Sequence, residues 1–244
     1  KSRQRRILMA EVALGHLHSY SDRMTEDAKA RLDKVSANVA RAAKLSGRRA
    51  DAIQLIAISK THDAHAIRPL LEAGHRRFGE NRVQEAQAKW PGLRAEFPDV
   101  ELHLVGQLQS NKAEDAVALF DAIHSVDRPS LISALARAQQ KTGRRPACFI
   151  QVNIGDEPQK GGCPIKDLPD LIKEARSADL DLAGLMAVPP ADLEAAPYFA
   201  LLAKLARDHG LKGLSMGMTG DYETAVMMGA THVRIGSALF GVRG

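Results

Sequence analysis

Short apolar runs recur along this chain every ~20 to 35 residues, and after most of them the apolar positions switch to helical spacing, the rhythm of repeated βα units. The runs at 53–58, 76–78, 101–104, 122–125, 147–152, 182–188, 213–215 and 232–235 are the expected strands. Ahead of the first lies "TEDAKARLDKVSANVARAAKLSG", residues 25–47, which reads as a helix with an acidic first turn and Gly47 as its stop. Eight strands with helices between them point to the α/β class and a single closed (β/α)8 TIM barrel with an extra N-terminal helix. An open doubly wound sheet would follow its first strand with a Gly-rich turn. Here the first strand runs into "SKTHDA", which has no glycine. The early helix is expected to pack near the last strand and complete the outer ring. No repeat, low-complexity tract or long linker divides the chain, so one domain is expected over 24–244. Residues 1–23 have no clear period and read as an extension or cloning remnant, with a basic binding tail as the alternative.

Composition narrows the function classes. No apolar run in the 244 residues is long enough to span a bilayer, and 45% hydrophobic content suffices for a sizeable core. A membrane partner is therefore not expected. Cys148 and Cys163 make no disulfide framework and have no neighbouring ligand at metal spacing, so the expectation is a cytoplasmic protein without a metal site. Of the net charge of +5, residues 1–23 carry +3, from Lys1, Arg3, Arg5, Arg6 and Arg23 against Glu11 and Asp22. The rest shows no basic stripe with interleaved aromatics, which argues against nucleic acid.

Active sites of such barrels lie at the C-terminal ends of the strands, so the residues just after each run are the candidates. They are Lys60, Glu80 and Asn81, then 103–106 with Asn111, Asn153, Met186, 215–219 and 234–237. "LSMGMTGDYETAVMMG" and "VRIGSALFG" put small, flexible residues after the last two strands, the recurrent place for a phosphate in this fold. Gly217 and Gly236 would let the backbone approach an anion, while Ser215, Thr219 and Ser237 offer hydroxyls. The alternative is that these glycines serve turns and these hydroxyls cap helices. Desolvation favours the neutral, nucleophilic form of an amine, so Lys60 at the mouth end of a buried strand can tether an aldehyde. The alternative is a snorkelling lysine or a surface ion pair. A ligand with a phosphate at one end and an aldehyde at the other has the form of pyridoxal 5'-phosphate. In "HVRIG" the two-residue period separates Arg234 from Val233 and Ile235 and turns it inward, where a pyridine nitrogen could accept from it. The alternative acceptor is a carboxylate such as Glu80.

The stretches "AISKT", "FGENRVQEA", "HLVGQLQSNK", "SVDR", "QVNIGDEPQKGG", "GLMAVPP", "LSMGMTGD" and "VRIGSALFG" together resemble the YggS/PROSC family of pyridoxal phosphate homeostasis proteins, from about Met24 to the end. The resemblance implies a fold type III barrel similar to the cofactor domain of alanine racemase. It makes Lys60 the Schiff-base residue, gives the phosphate to Ser215, Met216, Gly217, Met218 and Thr219 with Gly236 and Ser237, and sets Arg234 against the pyridine nitrogen. Asn81 and Met186 would line the ring, with His103 nearby. The chain departs from the family pattern in Arg82, where a tyrosine is usual, and in Thr219, where a serine is usual. The implied function is a carrier or buffer of the cofactor in its intracellular homeostasis, a monomer with cofactor-dependent client enzymes as partners, and no catalytic residue. A weak fold type III reaction such as amino-acid racemisation is the alternative. It needs a second acid/base opposite the lysine, and none of Tyr20, Tyr198 and Tyr222 is placed as one, nor does the given chain run on past Gly244 into a second domain that would supply it. A barrel binding some other phosphorylated metabolite is a third reading.

Overall fold

The computed structural model describes residues 2–241, with side chains from residue 22 onward. Eight parallel strands close into a barrel in sequence order, and the first pairs with the last. They are β1 Gln54–Ile58, β2 Arg77–Glu80, β3 Glu101–Leu104, β4 Ala122–Val126, β5 Ala147–Gln151, β6 Leu182–Met186, β7 Gly213–Met218 and β8 His232–Ile235. Around them run α2 Ala64–Glu72, α3 Val83–Glu96, α4 Ala113–Leu119, α5 Pro129–Thr142, α6 Leu168–Ser177, α7 Ala196–Asp208, α8 Tyr222–Met227 and α9 Ser237–Phe240. The strands are buried on both faces, which is why they were legible as continuous apolar runs.

The helix expected from Thr25 is longer than its apolar stripe. Helix α1 spans Ser2–Leu45 without a break at Met24. Among the residues whose side chains are described, from 22 onward, the buried positions Ala28, Val35, Val39, Ala42 and Ala43 form one stripe. Good helix formers extend a helix in either direction whether or not a face is buried, so periodicity marks the packed part alone. Gly47, at φ +67, ends the helix region as expected. Helix α1 packs against α2, α8 and α9. Arg31 donates to Leu239 O at 2.7 Å, Asn38 to the Tyr222 hydroxyl at 2.9 Å and Arg48 to Val226 O at 2.8 Å. The helix thus covers the seam where β8 meets β1 and completes the outer ring.

The inside of the barrel is not uniformly aliphatic, as most such interiors are. Toward β1 and β2 it is filled by Ile56 and Ile58 against Gly79, where a Cβ would come within 2.5 Å of Ile58 Cδ1. Toward β3, β4, β7 and β8 it holds buried His103, His124, Ser215 and Arg234. The His124 ring stacks on Phe149 with centroids 4.3 Å apart. Among the described residues no helix is long and apolar enough to cross a membrane.

Candidate functional site

At the C-terminal mouth of the barrel, between the ends of β1, β7 and β8, lies a cavity of about 540 Å³. Ile58, Lys60 and His62 form one wall, Met218, Thr219 and Gly220 another, and Gly236, Ser237 and Gly241 a third, with Arg234 also on its lining. The two-residue period of β1 carries Ile56 and Ile58 inward and continues to Lys60, so the first polar residue on that face is an amine at the mouth. Lys60 is half-buried, and among the described residues its amine meets no carboxylate, hydroxyl or carbonyl at hydrogen-bonding distance. Among the described residues, the surface ion pair given above as the alternative does not form.

Arg234 is buried, and its guanidinium donates to Ser215 Oγ at 2.7 Å and to Ala187 O at 3.0 Å. It does not pair with Glu80, which faces away from the barrel interior toward α3. Burial lowers the Arg234 pKa to about 10, against the opposing pull of Asp221, so it remains a cation at neutral pH.

Beneath the cavity the polar groups form one directed chain. Ser215 Oγ accepts from Arg234, so its own proton goes to His124 Nδ1 at 2.8 Å. The His124 proton then sits on Nε2 and points to His103 Nδ1 at 3.0 Å. Burial, and then the charges of His232 and Arg77, push His103 down to about 3. Burial, with His103, His232 and Arg234, pushes His124 well below its ordinary value. Both rings are neutral at pH 7. The last donor in the chain, His103 Nε2, is buried and has no hydrogen-bond partner among the described residues.

The structure gathers Lys60, Met218, Thr219, Arg234, Gly236 and Ser237 of the candidate residues around one cavity. Asn81 and Met186 lie around a neighbouring cavity of about 290 Å³, walled also by Gln107, Gln151, Asn153 and Lys160. Four candidates fall outside both. The Ser215 hydroxyl, expected to donate to an anion, is fully buried and shared between Arg234 and His124. His103, expected near a ring at the mouth, is a link of the same interior chain. Met216 is fully buried in the core. Gly217 has φ +93, and a Cβ there would come 2.5 Å from Ala225 Cβ, so its small size serves the packing of α8.

Beyond Ser215, a bulge decides which residues of β7 reach the mouth. Along β7 and β8, Ser215 pairs with His232 but Met218 pairs with Arg234, so three steps on one strand match two on the other. The inward face therefore changes parity after Ser215, and Met218 and Thr219 reach the cavity in place of their predecessors. The helix N-terminus expected beyond β7 belongs to α8, only six residues long, so this wall rests on loop groups. Asp221 Oδ1 accepts the Met218 N–H at 2.6 Å and closes the loop, and Thr219 Oγ1 lies 3.4 Å from the Gly236 N–H.

Arg82, the departure from the family pattern, is the exposed N-cap residue of α3 and lines neither cavity. Among the tyrosines, Tyr222 packs in the outer layer against α1, Tyr198 lies on α7, and the Tyr20 side chain is outside the described residues. Sequence reasoning passed over His62, although it stands two positions past Lys60 in the same quoted stretch, and the turn after β1 brings it to the cavity. Its ring stacks on Phe240 with centroids 4.3 Å apart.

The family model described as "Alanine racemase, N-terminal domain" matches residues 30–244. A protein of Pseudomonas aeruginosa named "Pyridoxal phosphate homeostasis protein" is 42% identical over 219 residues, covering 86% of this chain and 93% of the relative. The chain belongs to the YggS/PROSC family of pyridoxal phosphate homeostasis proteins. A family member of the same name from Deinococcus radiodurans is 41% identical over 209 residues, with 84% of this chain and 97% of that one covered. The solved structure of PipY from Synechococcus elongatus "with PLP bound" superimposes with a TM-score of 0.73 at 40% identity, covering 84% of this chain and 100% of PipY. The family fold is the closed eight-stranded barrel found here.

Proposed function

We propose that this chain binds pyridoxal 5'-phosphate at the mouth cavity and acts as a carrier or buffer in its intracellular homeostasis. The observation that carries the reading is the Lys60 amine, without a partner among the described residues, facing the same cavity as Arg234 and the Thr219, Gly236 and Ser237 loops. The group fits the residues present. A cavity of about 540 Å³ has room for a small phosphorylated ring, the loop amides and the Thr219 and Ser237 hydroxyls suit a phosphate, and the buried Arg234 cation suits a neutral ring nitrogen. When bound, the cofactor supplies an aldehyde that condenses with a neutral amine, one water leaving as the C=N bond forms. Lys60 would hold it as a Schiff base. Arg234 cannot readily give up a proton, so it would keep the ring nitrogen unprotonated and weaken the electron sink, which suits storage better than turnover.

The names of the relatives and the cofactor in PipY support this reading. A cytoplasmic place, a monomeric state and cofactor-dependent client enzymes are carried with it. Both cysteines are free and buried, which accords with a reducing compartment.

The test is the absorption spectrum of the protein supplied with the cofactor, followed by borohydride reduction and peptide mapping. A visible imine band and a reduced adduct on Lys60, both absent in Lys60→Ala, are expected. A protein that stays colourless and unlabelled sinks the reading. A second reading, a weak fold type III reaction, has His62 in its favour, because that ring lines the cavity beside Lys60 and could exchange a proton. Cofactor-dependent deuterium exchange at Cα of amino acids in D2O would establish it, and persistent absence of exchange dismisses it.

A further inference from the structure

Lys60 sits in a turn that is not comfortable by itself. The His62 N–H donates to Ser59 O at 3.1 Å, making Lys60 and Thr61 the two central residues of the turn. Thr61 has φ +65, a region where glycine or asparagine is usual and a β-branched side chain is a true outlier. Such a backbone persists only where its surroundings over-determine it.

Those surroundings come from one side chain. Lys89, on α3, reaches the underside of the turn with its side chain only 8% exposed. Its ammonium donates to Ser59 O at 2.8 Å, to His62 O at 2.9 Å and to Glu85 Oε1 at 3.0 Å, and it lies 2.8 Å from Glu80 Oε1. Glu80 is fully buried and is fixed in turn by the Ser59 hydroxyl at 2.6 Å and the Trp90 indole N–H at 2.9 Å. Glu85 closes the ring by accepting the Thr61 N–H. Burial works against the charged form of Glu85, but the hydrogen bonds from Lys89 and Thr61, with the charges of Lys89 and Arg82, hold its carboxyl below the ordinary range. The carbonyls on either side of Lys60 and Thr61, and the N–H of Thr61, are therefore all held from α3.

We propose that Lys89 is a positioning residue for Lys60. Its buried ammonium, braced by Glu80 and Glu85, locks the turn 59–62 in its strained form and thereby presents the Lys60 amine to the cavity. Lys89 does not itself line that cavity. The inference rests on the role given to Lys60 above.

The test uses Lys89→Met, which keeps the apolar stem and removes the charge. In the cofactor-free protein, amide hydrogen exchange of Thr61 and His62, read by NMR, should rise about tenfold. The rate of borohydride-fixed cofactor at Lys60 should fall by about the same factor. Adding Thr61→Gly, which removes the strain, should recover most of that rate, because a glycine turn needs less holding. A general packing defect would not respond to the glycine. Unchanged exchange and fixation in Lys89→Met, or no recovery with the glycine, overturns the proposal. Should Lys89→Met fail to fold, Glu85→Gln takes its place with an expected change of about threefold in both readouts, and no change again overturns it. Failure of the parent protein to fix any cofactor on Lys60 defeats the functional reading, whereas equal fixation by parent and Lys89→Met defeats only the role of Lys89.

Discussion

The two walls of the mouth cavity are held in different ways. On the β1 side, a strained turn is clamped by buried charge: Lys89, Glu80 and Glu85 converge on the backbone around Lys60. On the β7–β8 side, the wall is shaped by backbone geometry: a bulge, the left-handed Gly217 and a loop closed by Asp221. Charge fixes a turn tightly where a reactive atom must point one way. Backbone amides and hydroxyls suffice where a multiply charged, symmetric group is to be grasped from several sides.

This contrast can be tested from both ends, and the largest effect is expected at the amine. Lys60→Ala should abolish borohydride-fixed cofactor altogether while leaving measurable, reversible retention of the cofactor by the opposite wall, to be followed by equilibrium dialysis. Complete loss of retention would mean that the β7–β8 side has no independent hold. The next largest effect falls on that side. Gly217→Ala demands a left-handed alanine and a Cβ 2.5 Å from Ala225, and should cost about 2–3 kcal/mol in urea unfolding, with a weaker hold on the cofactor.

Acid probes the floor that the two walls share. Burial lowers His103 to about 3 and His232 to about 4 in the folded protein, against an ordinary value of 6.5. Between those values the unfolded chain binds protons that the folded one refuses, so stability is fully present above pH 6.5 and is lost as pH falls toward 4. The loss should be about 1 kcal/mol or more per pH unit and visible in thermal melts at pH 7, 6 and 5. A flat profile would mean that these rings are protonated in the fold. Smallest of all is the exposed Arg41–Glu223 pair that ties α1 to the β7–β8 side. Arg41→Ala should change stability by no more than about 0.5 kcal/mol, and a larger value would show that α1 supports that wall through charge rather than packing.

The sequence was most legible where burial was complete. All eight strands were recognisable because parallel strands covered on both faces read as apolar runs, and β3 and β8 were placed to the residue. Lys60 stood out because a cation ended such a run. Ser215, Met216 and Gly217 were assigned to the mouth by position along the chain. Ser215 sits one layer below the mouth, and the bulge that brings Met218 and Thr219 there in place of Met216 and Gly217 is a property of how β7 meets β8, which no residue in "LSMGMTGD" announces. Lys89 was invisible for a similar reason. In "VQEAQAKWPGLRAE" it is one polar position on a helix of ordinary appearance, and only the folded packing of α3 beneath β1 makes it a buried cation. The start of α1 at Ser2 was missed because residues 1–23 show no clear apolar period, and helix propensity can carry a helix through such a stretch.

The pairing of β1 with β8 has a further meaning for a chain made one residue at a time. Lys60 leaves the ribosome well before Arg234, Gly236 and Ser237, and the apolar stripe of α1 is made before α8 and α9, against which it packs. A nascent chain therefore carries the Lys60 amine before the opposite wall of the cavity exists. On the proposed function, cofactor capture is then a late event that waits for a closed barrel, and a protein truncated before β8 is expected not to fix the cofactor.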